Sequence, residues 1–255
     1  MNVLMPKLAV SGTGIHYEDS GSGPPIVFIP GALGTGAGDF AEQLPVFSRA
    51  WRVIAPDLRG YGRSRPPERE YPVDFYQRDA NDVIGLMSEL GCERFAALGW
   101  SDGANVATLM AATFPDRISK LVVWAGNSFV SDEEVATFQG IRSISTWSPR
   151  AVDALKPVYG DQLGRIWGDY VDGLARIHAA GGDLYRTKLS QVRCPALILH
   201  GAKDPLVPGF HPEILHKGIM GSELFVFPEG KHNVHARYAP EFNQVVSGFL
   251  SRQRA

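Results

Sequence analysis

An α/β fold with a mostly parallel, doubly wound sheet and an inserted block of helices is the architecture this sequence predicts. Three observations lead there. Short apolar runs alternate with helix-length segments through the first half of the chain, the pattern of parallel βαβ units. One such run leads into Gly99-Trp100-Ser101-Asp102-Gly103, a Gly-x-Ser-x-Gly pentapeptide followed at once by a helical stretch. From Asn127 to about Gln191 the strands stop and helical periodicity alone continues.

In order, Lys7 to Val10 and Gly14 to Glu18 alternate around Ser11-Gly12-Thr13 and predict an opening hairpin. Pro25 to Ile29 is continuously apolar, as a strand buried on both faces would be. It enters Pro30-Gly31-Ala32-Leu33-Gly34-Thr35-Gly36, which lacks the lysine of a P-loop and the spacing of a dinucleotide fingerprint. This loop is expected to turn its N–H groups toward the serine instead. Trp51 to Ala55 is the next strand, and the charged residues of Asp57 to Ser64 are expected to tie down the turn after it. Asp74 with Gln77 predicts a capping box. Val83, Leu86/Met87 and Leu90 then recur at helical spacing until Gly91 supplies a stop. Arg94 to Leu98 and Ser119 to Trp124 are strands flanking the buried helix Ala104 to Ala112.

Ser131 with Glu134 caps a helix carrying Val135, Phe138 and Ile141; Ser148-Pro149 opens a second; Leu163, Ile166/Trp167, Tyr170/Val171, Leu174 and Ile177 mark a third. Residues 127–191 are therefore expected to form a helical cap inserted into a core of residues 1–126 and 192–255. The cap would lie over the carboxyl ends of the strands, where ligands of such sheets bind. Trp147, Trp167 and Tyr170 are expected to be ordinary packing, with pocket lining as the alternative. The sheet resumes at Ala196 to His200, ends with Glu223 to Phe227, and is followed by a helix from Pro240 with a Phe242, Val245/Val246, Phe249/Leu250 stripe.

Composition narrows the function. The 255 residues suit one large domain, and 44% hydrophobic content excludes disorder as the default. Net charge is −2 with no basic stripe, so nucleic acid is not an expected partner. No stretch reaches membrane-spanning length. Cys92 and Cys194 each precede a strand and are expected to be free thiols in a reducing compartment. Met1 to Lys7 shows neither a secretory apolar region nor an Arg-rich presequence. A cytoplasmic monomer is expected, or a mitochondrial one if a targeting peptide has been removed. No His-x-x-x-His or cysteine cluster occurs, so neither a metal nor a cofactor is expected.

A serine hydroxyl becomes a useful nucleophile when a histidine takes its proton and a carboxylate orients the histidine. Ser101, Asp204 and His232 follow in that order, each after a strand, so one sheet edge would collect all three. His232 directly follows the last strand; His235 is its nearest competitor, and His200 lies within a strand as a core histidine would. Asp204 is preferred to Asp183 or Asp161 in the cap. An oxyanion hole needs two N–H donors. Asp102 supplies one by its position after the nucleophile; Ala32 is the first candidate for the other and Leu33 the second. The Asp102 side chain has two open readings: a solvated carboxylate complementing the helix dipole, or a partner for a substrate ammonium group.

The layout resembles the α/β-hydrolase fold superfamily along the whole chain, and within it the biphenyl hydrolase-like (valacyclovir hydrolase) family of α-amino acid ester hydrolases. The resemblance is carried by Gly99 to Gly103, Arg59-Gly60-Tyr61-Gly62-Arg63-Ser64-Arg65-Pro66-Pro67, Cys194 to Gly201, Lys203 to Pro208, and Pro228-Glu229-Gly230-Lys231-His232-Asn233. It implies Ser101 as nucleophile, Asp204 and His232 as its partners, and Asp102 as the group that binds the α-amino group of a small apolar aminoacyl ester. Ala104 and Ala32 depart from the family pattern. Carbon–carbon bond hydrolysis, general carboxylester hydrolysis and a ligand receptor on a hydrolase scaffold are the competing functions. Dehalogenase and epoxide hydrolase chemistry is disfavoured, because it needs a carboxylate where Ser101 stands.

Overall fold

The computed structural model describes residues 7–252; the targeting expectation for Met1 to Pro6 falls outside them. The chain runs β1 (Lys7–Val10), β2 (Thr13–Ser20), β3 (Pro25–Ile29), α1 (Gly36–Asp39), α2 (Leu44–Phe47), β4 (Arg52–Pro56), α3 (Phe75–Glu89), β5 (Phe95–Trp100), α4 (Asp102–Thr113) and β6 (Ile118–Trp124). Then come α5 (Asp132–Gly140), α6 (Pro149–Tyr159) and α7 (Leu163–Ala179), and finally β7 (Ala196–Gly201), α8 (Phe210–Gly218), β8 (Glu223–Phe227), α9 (Val234–Arg237) and α10 (Ala239–Ser251). The eight strands form one sheet in the order β1-β2-β4-β3-β5-β6-β7-β8. β1, β2 and β4 pair antiparallel, and every pairing from β4 to β8 is parallel.

Alternation along the central strands divides the core in two. Val27, Ile29, Ala97, Leu121, Val123 and Ile198 pack with α3, α4 and the helices between β6 and β7. Their neighbours Ile26, Phe28, Ala96, Leu98, Val122, Trp124, Leu197 and Leu199 pack on the other face with Phe40, Phe47, Phe242 and Val246. Both faces of the central parallel strands are covered, which is why residues 26–29, 95–98, 121–124 and 196–199 are apolar throughout. The turn after β4 is tied down by Asp57, which accepts from the N–H of Gly36 (2.9 Å) and of Arg63 (2.7 Å), while Ser64 Oγ donates to the Asp57 carbonyl (2.7 Å).

Local signals fix several helix ends. Ser131 and Glu134 close a full capping box on α5, Ser148 caps α6, and Gly91 follows α3 at φ +70°. The expected capping box at Asp74 is absent. Asp74 precedes α3, but its backbone (φ −101°, ψ 15°) is not the extended conformation that aims a cap side chain at the helix, and Gln77 instead donates to Asn81. Cys92 and Cys194 are both buried and form no disulfide with each other. No helix among the described residues is long and apolar enough to cross a membrane.

Candidate active site

Ser101 lies at the turn between β5 and α4 with φ 55° and ψ −120°, a backbone conformation that a non-glycine residue adopts only under strain. The neighbouring glycines allow that turn. A Cβ on Gly99 would collide with the backbone of Gly103, and one on Gly103 with the Ile29 carbonyl. The serine thus stands at the N-terminus of a helix buried along nearly its whole length, against the carboxyl end of β3.

The structure brings Asp204 and His232 to it. His232 Nε2 is 3.0 Å from Ser101 Oγ, and its Nδ1 is 2.8 and 3.1 Å from the two oxygens of Asp204. Asp204 also accepts from the N–H groups of Leu206 (2.9 Å) and Val207 (3.2 Å). Burial by itself would raise its pKa; the charge and hydrogen bond of His232 together with the two N–H donors outweigh burial and leave it below the usual carboxylate range. An acceptor held in this way fixes the proton of neutral His232 on Nδ1 and leaves Nε2 to take one from the serine. The loops of the acid and the histidine are stitched together by Lys203 N–H donating to the Gly230 carbonyl (2.8 Å). Gly201 makes that approach possible, since a side chain there would strike Lys231 and Gly230. Trp100 Nε1 donates to the His232 carbonyl (3.0 Å) and its ring packs on the imidazole.

The competing histidine has a different task. His235 is buried, accepts from Trp124 Nε1 (2.9 Å) and donates from Nε2 to the Asp39 carbonyl (3.1 Å); burial holds its pKa down at about 3, so it is neutral. His200 is likewise a buried strand residue whose pKa burial depresses.

The loop of Gly31, Ala32 and Leu33 faces the serine: a Cβ on Gly31 would lie 3.3 Å from Ser101 Cβ. The Gly31 N–H is already committed to Asp39 Oδ2 (3.0 Å). Ala32 and Leu33 remain as the loop's donors. Asp102, first residue of α4, has an N–H with no acceptor inside the helix.

The Asp102 side chain overturns the solvated reading. The residue is 4% exposed, and both Tyr76 (α3, 2.7 Å) and Tyr170 (α7, 2.9 Å) donate to its Oδ1. Its Oδ2 is buried with no partner. Burial raises its pKa to about 6, against the opposing effect of the two hydroxyls and of Arg69. A buried carboxylate oxygen without a donor is costly to leave unpaired, and a cation or N–H group would relieve it. Tyr170 is therefore more than packing, which its place in a helical stripe could not reveal. Trp147 and Trp167 do pack on each other, and both indoles donate to the Ile141 carbonyl. Among the described residues no group of three or more His, Cys, Asp or Glu side chains is placed to hold a metal ion.

Residues 24–140 match the model of the alpha/beta hydrolase fold family. The chain is 44% identical to the human serine hydrolase BPHL over 98% of its own length and 87% of that protein's. It is equally similar to the mouse serine hydrolase BPHL, at 44% over 97% of the chain and 87% of the relative. Among solved structures it matches a meta-cleavage product hydrolase from Pseudomonas fluorescens IP01 with a TM-score of 0.81 at 20% identity, covering 96% of this chain and 97% of that one.

Proposed function

The chain belongs to the serine hydrolase BPHL family of the α/β-hydrolase fold, and on that premise we propose that this serine hydrolase cleaves esters of α-amino acids with small apolar side chains. One observation supports the substrate class most directly: Asp102, adjacent to Ser101, is a buried carboxylate with one oxygen saturated by two tyrosines and the other unpartnered. An ammonium group beside the scissile carbonyl would supply the missing donors and charge, and would orient that carbonyl toward the serine.

The steps follow from the geometry. His232 Nε2 takes the proton of Ser101 Oγ as the oxygen attacks the acyl carbon. Negative charge gathers on the former carbonyl oxygen, where the N–H of Asp102 and of Ala32 receive it, with Leu33 as the alternative donor. The imidazolium, held by Asp204, returns the proton to the departing alkoxide. Water then repeats the sequence on the acyl-enzyme and releases the amino acid.

General carboxylester or carbon–carbon bond hydrolysis would use the same three side chains but gives no role to the unpartnered Asp102 oxygen. A panel of valyl, phenylalanyl and N-acylated valyl esters tests the reading, with Ser101→Ala as the control. The free-amine valyl ester should be preferred and Ser101→Ala should be inactive. Equal turnover of the N-acylated ester would remove the amine-recognition claim, and an active Ser101→Ala variant would remove the nucleophile.

A further inference from the structure

The cap reaches the oxyanion loop through Tyr159, the last residue of α6. Its side chain is buried, and its hydroxyl donates to the Leu33 carbonyl (2.8 Å) while accepting from the Gly62 N–H (3.2 Å). Arg65 holds it in place: the guanidinium lies 4.8 Å from the ring centroid and donates to the Val158 carbonyl (2.6 Å).

The Leu33 carbonyl shares its peptide plane with the Gly34 N–H, which donates to the Gly31 carbonyl (3.1 Å). The Gly31 carbonyl in turn shares its plane with the Ala32 N–H. In a trans peptide the C=O and N–H point opposite ways. The hydrogen bonds therefore run in one direction, from Gly62 N–H to Tyr159 O–H, through the 33–34 peptide, through the 31–32 peptide, and out at Ala32 N–H. Leu33 sits at φ 60° in this turn, a conformation unfavourable for leucine that its fixed carbonyl helps to hold. From the other side, Asp39 anchors the preceding peptide through the Gly31 N–H.

We propose that Tyr159 is a positioning residue for catalysis, orienting and polarising the oxyanion-binding N–H of Ala32 through this relay of two peptide groups. The proposal rests on the reading of Ala32 as an oxyanion donor, and it favours Ala32 over Leu33 because the relay ends on Ala32. Bonds aligned head to tail strengthen one another, so the tyrosine hydroxyl both fixes the donor's direction and increases its partial charge. The same contact links cap seating to the competence of the site.

Tyr159→Phe keeps the ring and deletes the donor. Loss of a whole oxyanion donor lowers kcat about 100- to 1000-fold; a donor left in place but misaligned should lower it by roughly 10-fold. KM should change little. The affinity of a boronic acid inhibitor, whose tetrahedral adduct places an oxygen in the hole, should fall by the same factor as kcat. Incorporation of 3-fluorotyrosine at 159, a stronger donor of nearly the same shape, should retain wild-type kcat and boronate affinity. Wild-type kcat in Tyr159→Phe, a loss confined to KM, or an unchanged boronate affinity would each overturn the relay. Ser101→Ala separates the two levels: if it is inactive while Tyr159→Phe behaves as wild type, only the relay fails, whereas turnover by Ser101→Ala defeats the serine mechanism beneath it.

Discussion

Asp102→Asn is the substitution that most sharply separates amine recognition from general ester hydrolysis. It leaves the backbone N–H of residue 102 in place and removes a negative charge from a site that is 4% exposed. At about 4 Å, with an effective dielectric constant of about 20, a carboxylate–ammonium pair interacts by roughly 4 kcal/mol. Stripping water from the ammonium offsets part of that, and charged hydrogen bonds typically contribute about 1.5–3 kcal/mol net. A loss of about 2 kcal/mol corresponds to roughly 30-fold in kcat/KM. The assay compares a valyl ester with the 3-methylbutanoyl ester of the same alcohol, which differs by deletion of the amine. Asp102→Asn should lower kcat/KM about 30-fold for the first and only a few-fold for the second. The ratio of the two also carries a pH signature. Burial raises the Asp102 pKa to about 6, so the charge is present above that pH and is lost as pH falls through it. Any group that acts equally on both substrates cancels in the ratio. The wild-type ratio should therefore fall below about pH 6, and fall again above about pH 8 as the substrate amine loses its proton. In Asp102→Asn the acid limb should vanish. Equal losses on both esters, or a ratio flat through pH 6 in the wild type, would refute ammonium pairing.

Other expectations follow from the same geometry. Asp204→Asn should leave the fold intact yet lower kcat by about 10⁴-fold, because an amide on Nδ1 permits the wrong imidazole tautomer; steady-state kinetics with circular dichroism would show whether it does. Tyr170→Phe removes one of the two hydroxyls that favour ionised Asp102, so the acid limb of the ester ratio should move above about pH 6, and an unmoved limb would deny the contact its electrostatic role. Arg69 and Asp79 form a bidentate pair (2.6 and 2.5 Å) with both side chains 2% exposed. Arg69→Met should destabilise by about 3–5 kcal/mol in urea unfolding, because it strands a buried carboxylate, and a loss under 1 kcal/mol would show that Asp79 is not stranded.

What the sequence determined by itself was what short-range physics encodes. Continuous apolar runs became the central parallel strands, because both of their faces are covered. Ser131 with Glu134, Ser148 and Gly91 set helix ends through contacts a few residues away. The elbow was legible for the same reason, since only glycine fits at positions 99 and 103, and strand order alone carried Asp204 and His232 to the edge where Ser101 waits. Asp74 marks the limit even of local signals: its residue type suits a cap, but its backbone conformation does not. Tertiary structure decided the rest. Tyr170 reaches Asp102 across 68 residues and Tyr159 reaches Leu33 across 126, and no periodicity distinguishes a tyrosine that fills space from one whose hydroxyl meets a carboxylate. Whether Asp102 is solvated or buried with an unpaired oxygen depends on helices α3 and α7 closing over it. Burial sets the strength of a charge, and burial is a property of the assembled layers rather than of any stretch of chain.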